Sequence, residues 1–144
     1  MSTEANKSIV RRYVEEVQNQ GNLTALDELT APAYVNHSAP PGVPPNREGI
    51  KQLAAMFRQA FPDGRMTIED MVAEADRVAT RKTFRGTHLG DLMGIPPTGK
   101  TVAIGLIDFA RLADGKVVET WHAGDDLGLL QQIGALQPPT SANR

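Results

Sequence analysis

Val102-Ala103-Ile104-Gly105-Leu106-Ile107-Asp108-Phe109-Ala110-Arg111-Leu112, then Asp114-Gly115, then Val117-Val118-Glu119-Thr120-Trp121-His122-Ala123, is the stretch that decides the fold of this chain. Bulky and β-branched residues in this run favour extended structure, and Asp-Gly marks a turn between two strands. The period-two pattern begins upstream, at Met66–Ala73 and Arg77–Gly86, with Asp76 and Gly99-Lys100 marking further turns. The C-terminal half is therefore read as consecutive strands.

The N-terminal half has a different period. Ile9, Val10, Tyr13, Val14 and Val17 form one apolar stripe of a helix, which Gly21 ends. A shorter helical pattern carries Leu23, Leu26 and Leu29 and stops at Ala31-Pro32, because proline disfavours helical geometry in the residue before it. Tyr34-Val35-Asn36-His37 reads as a short extended piece. The prolines of Ala39–Pro45 then fix a loop expected at a pocket mouth. Asn46 is positioned to cap a third helix, whose apolar side is Ile50, Leu53, Phe57 and Phe61 and which ends at Pro62-Asp63-Gly64. Helices followed by strands, without βαβ alternation, predict an α+β domain in which helices pack on one face of a curved antiparallel sheet.

The 144 residues fit one domain, with an ordered core expected over about residues 5–136 and a polar tail at 137–144. With 15 Lys and Arg against 17 Asp and Glu, the formal charge of −2 gives no electrostatic reason to bind nucleic acid or anionic lipid. The absence of cysteine excludes thiolate nucleophiles, disulfides and cysteine-ligated metal. A polar N-terminus, and no apolar run near the roughly 18 residues needed to span a bilayer, lead to the expectation of a soluble cytoplasmic protein.

Several segments carry a family resemblance: Phe84-Arg85-Gly86-Thr87-His88-Leu89-Gly90, Gly94-Ile95-Pro96-Pro97-Thr98-Gly99-Lys100, Asp114-Gly115-Lys116-Val117-Val118-Glu119, and Trp121 to Gly134. In order and spacing, over about residues 5–135, they resemble SnoaL-like polyketide cyclases of the nuclear transport factor 2-like superfamily. The resemblance implies a cone, with a strongly bent antiparallel sheet wrapped around a pocket and N-terminal helices closing its side. It implies intramolecular aldol ring closure without metal or organic cofactor, with an aspartate as general acid/base. The matching aspartate is Asp125, before Gly128-Leu129-Leu130-Gln131-Gln132, and the family's substrate-binding asparagine falls on Asn36. A histidine of the family's penultimate strand is replaced by Asp108, a departure.

Aldol closure removes a proton next to a carbonyl and later protonates an alkoxide. One carboxylate can do both if burial raises its pKa from about 3.9 toward neutrality. Asp125 is the candidate for that role and its neighbour Asp126 the candidate helix cap. Asp108 shares a strand face with Ile104, Leu106, Ala110 and Leu112, so it is either held structurally by an arginine such as Arg81 or Arg85 or is part of the site. His37, His88 and His122 are too dispersed for a metal site. His88 is a third catalytic candidate, His37 is placed near the pocket mouth, and His122 is expected to face away from Trp121 and Asp125. Trp121, Phe57 and Phe84 are candidate pocket walls or ordinary core.

The expected activity is cofactor-independent cyclisation of a small, apolar or aromatic substrate. Isomerase, dehydratase, hydroxylase or epoxide hydrolase chemistry on the same fold, and non-catalytic small-molecule binding, stay open as alternatives. Ile107 and Phe109, opposite Asp108's face, predict that something covers the sheet's second side, and a homodimer is expected there.

Overall fold

The computed structural model describes residues 2–136. Ser2 caps α1 (Thr3–Arg12) by accepting a hydrogen bond from the Ala5 amide at 3.0 Å. The helix runs on into a π-helical segment, Tyr13–Asn19, whose wider turn brings residues five apart, such as Tyr13 and Gln18, onto one side. Gly21, with φ of 69°, ends it, and Asn22 caps α2 (Leu23–Leu29).

β1 (Thr30–Asn36) follows directly, earlier than the expected extended piece at Tyr34. Pro32 is tolerated there because β1 is an edge strand. Asn46 caps α3 (Arg47–Ala60) as expected, its Oδ1 accepting from the Gly49 amide at 3.2 Å. The remaining elements are β2 (Arg65–Glu74), β3 (Arg77–Thr87), β4 (Thr101–Ala113), β5 (Lys116–Gly124) and α4 (Asp126–Gln132). These strands match the sequence-based ranges to within a residue at each end.

The sheet order is β1-β5-β4-β3-β2. β2 to β5 form an antiparallel meander, whereas β1 runs parallel to β5, so one edge departs from the expected antiparallel sheet. No hairpin joins β1 to β5; α3 and three strands lie between them, so turn geometry does not set their relative sense. The β4–β5 turn does set one: Asp114 and Gly115 have φ of 52° and 77°, the left-handed pair that matches the twist of a tight hairpin. Register shifts at Ile68/Asp70 and Arg111/Leu112 bend the strands and help curve the sheet.

α1 and the π-helical segment pack over β2 and β3, and α4 packs on β4. The sheet's inner face supplies Val78, Phe84, Val102, Ile104, Leu106, Ala110, Leu112 and Val117, all buried. Each large apolar side chain buried this way contributes about 1.5–3 kcal/mol relative to exposure. The other face stays open, with Val72, Ile107 and Phe109 exposed.

Candidate active site

Asp108 lies in the inner-face row of β4, between Leu106 and Ala110. Its cross-strand partners are Thr80 on β3 and His122 on β5. Both carboxylate oxygens are engaged: Oδ1 accepts from His122 Nδ1 at 2.6 Å, and Oδ2 forms a close ion pair with Lys82 Nζ. Lys82 is only 1% exposed and also donates to Gln18 Oε1 at 2.9 Å, so the π-helical segment closes over the ammonium. Burial works to raise the Asp108 carboxyl, but the His122 hydrogen bond and the Lys82 charge outweigh it and hold the group below the usual range.

An ionised carboxylate only accepts hydrogen bonds, so His122 Nδ1 carries the proton in this contact. In the neutral ring Nε2 is then left with a free lone pair. The His122 side chain is 44% exposed and reachable from solvent, in contrast to Lys82. The arrangement can therefore accept a proton at Nε2 while Asp108 fixes the ring's tautomer and stabilises the imidazolium.

Hydroxyls surround the pair. Tyr34 shares a 2.5 Å hydrogen bond with Thr120 Oγ1, and burial raises its phenol to about 12, the Thr120 bond opposing and the Asp108 carboxylate adding to the shift. Tyr13 is raised well above the usual value, first by burial, then by Tyr34 and Asp108. Both phenols thus stay protonated at neutral pH. Thr80 Oγ1 is buried beside Asp108 without a hydrogen-bond partner among the described residues. Asn36, buried at the end of β1, accepts from the Ser38 amide, and Ser38 Oγ accepts from the His122 amide, tying β1 to the histidine's backbone.

Three expectations change. Asp125 is exposed and caps α4, its Oδ1 accepting from the Gly128 amide at 2.8 Å, while Asp126 occupies the first helical turn. The cap is thus Asp125 and not Asp126. His122 faces the site, and Trp121 the opposite side, where it packs edge-on against Phe109 at 5.8 Å. Counting back from the Asp114-Gly115 turn sets Trp121 opposite Asp108, but the bulge at Val118 shifts the register by one residue. Asp108 is held by Lys82 and His122; Arg81 instead pairs with Asp70 at 2.9 Å, on the outer face.

His37 also lies outside the site, stacked on Trp121 at 4.7 Å with Nε2 on Glu119 at 2.6 Å. His88 is fully buried against Phe61 and bonds Thr98 through Nδ1, organising the connection from β3 to β4 away from Asp108. Phe57 and Phe84 join Phe61 in an aromatic cluster continuous with Leu106, an apolar wall next to the pair.

Lys82 was legible only as a break in a row: Val78, Thr80, Lys82 and Phe84 share one face of β3. Gln18 gave no signal, because its position depends on the π-helical turn. Among the described residues no three His, Asp or Glu side chains converge as metal ligands. A depression of about 320 Å³ lies around Gly105, lined by Arg81, Lys82, Thr83, Leu106, Ile107, Ala123 and Gly124; no carboxylate or histidine lines it.

A curved five-stranded sheet with helices packed on one face is the nuclear transport factor 2-like fold. The chain belongs to the SnoaL-like polyketide cyclase family, whose pattern matches residues 8–133, and is an enzyme of the cyclase type. It is 29% identical over 142 residues to the aklanonic acid methyl ester cyclase DnrD of Streptomyces peucetius, covering 96% of this chain and 95% of that one. It is 27% identical over 118 residues to the nogalonic acid methyl ester cyclase of Streptomyces nogalater, covering 81% and 88% of the two chains. Among solved structures, TsrD of Streptomyces laurentii superposes with a TM-score of 0.85 at 29% identity, over 94% of this chain and 99% of that one. IdmH of Streptomyces antibioticus gives 0.80 at 35% identity, over 90% and 98%.

Proposed function

We propose that this enzyme closes a ring on a small, largely apolar polyketide by removing a proton next to a carbonyl, with His122 Nε2 as the base and Asp108 as its orienting partner. The observation that carries this reading is the 2.6 Å contact of His122 Nδ1 with Asp108 on the covered face of the sheet, which leaves Nε2 free and accessible. The relatives' named substrates, aklanonic and nogalonic acid methyl esters, support a carbonyl-rich polyketide substrate. In the forward step Nε2 takes the α-proton, the enolate carbon attacks a second carbonyl, and the resulting alkoxide regains the proton from the imidazolium. No net proton or electron is consumed. The protonated phenol of the half-buried Tyr13 suits stabilisation of the negative oxygen.

General-base catalysis of this kind supplies typically 10²–10⁴-fold. His122→Gln is therefore expected to slow hydrogen–deuterium exchange at the acidic C–H of β-ketoester substrates in D₂O by at least about 10²-fold. Exchange at the wild-type rate in that variant would refute the assignment.

A second copy of the chain is the proposed cover for the outer sheet face. Val72, Ile107 and Phe109 expose apolar surface there beside complementary charges such as Arg81 and Asp70. Sedimentation as a dimer at micromolar concentration is expected, and a monomer there would end this part of the proposal.

A further inference from the structure

Lys82 is the one buried lysine among the described residues, and nothing in the proton-transfer step uses it directly. At 1% exposure it cannot reach a substrate, so it is neither a Schiff-base lysine nor an electrophile for the carbonyl. Burying an ammonium is costly unless it is paired and hydrogen-bonded. Two partners from different parts of the fold meet that cost: Asp108 from β4 and Gln18 from the π-helical segment. A π-helical turn is itself rare and is frequent at functional sites. Here it delivers Gln18 over the ammonium.

The electrostatics of the pair explain what such a lysine does. An ionised Asp108 alone would favour the imidazolium strongly, and an imidazolium cannot accept a proton. A fixed cation on the other carboxylate oxygen opposes that effect while keeping Asp108 ionised, so the histidine is oriented without being locked in its charged form. The other titratable groups facing the pair are Tyr34 from β1 and Tyr13 from the π-helical segment; both stay neutral near pH 7 and leave the balance to Lys82. Asp125, at the end of β5, is tied to the Gly128 amide.

We propose that Lys82, fixed by Gln18, is a positioning residue that keeps Asp108 ionised and offsets its pull on the His122 proton, so that Nε2 serves as a base at neutral pH. The inference rests on the reading of His122 as the base. Its test does not depend on turnover alone.

Lys82→Gln keeps an N–H donor, on a side chain one atom shorter, and removes the charge; Lys82→Arg retains the charge. The imidazole of His122 is followed by ¹⁵N NMR across pH in both variants, alongside the pH profile of kcat/KM. In Lys82→Gln the His122 midpoint and the acid limb of the profile are expected to move up by about one pH unit, the scale set by losing a nearby cation in a half-exposed site. At pH 6 the variant should then lose roughly tenfold more activity than at pH 9. Lys82→Arg should lie near wild type. A His122 midpoint unchanged in Lys82→Gln, or moved equally in Lys82→Arg, overturns the proposal. A midpoint that moves while the acid limb does not supports the role of Lys82 and counts against His122 as the base. If Lys82→Gln does not fold, Gln18→Leu, which leaves the ammonium without its second partner, should disturb the His122 titration, and an unaltered titration there overturns the proposal as well.

Discussion

Two cation–carboxylate–histidine chains lie on opposite faces of the same sheet, Lys82–Asp108–His122 inside and Arg111–Glu119–His37 outside. Each histidine meets its carboxylate at 2.6 Å. The surroundings differ. Lys82 is 1% exposed and Arg111 33%, and His37 is stacked flat on Trp121. The histidines and carboxylates are similarly exposed, so the difference lies in the cation: Lys82 is withdrawn from water and its pairing is screened little, whereas Arg111 is open to solvent and salt. Chains of like charge order are thus the proposed reaction centre on one face and a surface network on the other.

The largest break in this symmetry is expected in catalysis. His37→Gln should leave C–H exchange and turnover within about twofold of wild type, against the loss of about 10²-fold or more expected for His122→Gln. Equal losses would mean that the outer chain also takes part.

Stability comes next. Asp108→Asn leaves Lys82 buried without its counter-charge and should cost about 3 kcal/mol in chemical denaturation, because breaking a buried pair strands the remaining ion. Glu119→Gln should change the denaturation midpoint little, and less still in high salt. The pH dependence sharpens the contrast. The folded-state pKa of Asp108 lies below its unfolded value, so its contribution is present above about pH 4 and is lost as pH falls through the folded value. Wild type should thus lose stability on acidification more steeply than Asp108→Asn, as measured by urea midpoints between about pH 5 and pH 2.

The smallest effect is expected at the residue first read as the acid/base. Asp125→Ala removes the α4 cap and should cost about 1 kcal/mol with C–H exchange unchanged. A collapse of exchange with stability intact would return Asp125 to the chemistry.

Much of the fold was legible because its signals are local. Periods of two and of 3.6 separated strands from helices, Asn46 announced α3, and Asp114-Gly115 marked its hairpin. The parallel pairing of β1 with β5 was not legible, since nothing in the connecting segments sets its sense. Asp108 was recognisable as a carboxylate in an apolar row. Its partners were not, because side-chain direction in a strand depends on register and register depends on a bulge.

By itself, then, the sequence determined the helical and stranded segments, the family, and the presence of one acidic residue on the buried face of β4. Only the tertiary structure decided which histidine meets that acid, that a buried lysine holds it from the other side, and that Asp125 closes a helix instead. The physical reason is that propensity and periodicity act between neighbours in the chain. A single bulge at Val118 and a π-helical turn at Tyr13–Asn19 act between strands and helices far apart in sequence, and each rotates a side chain from one environment into another.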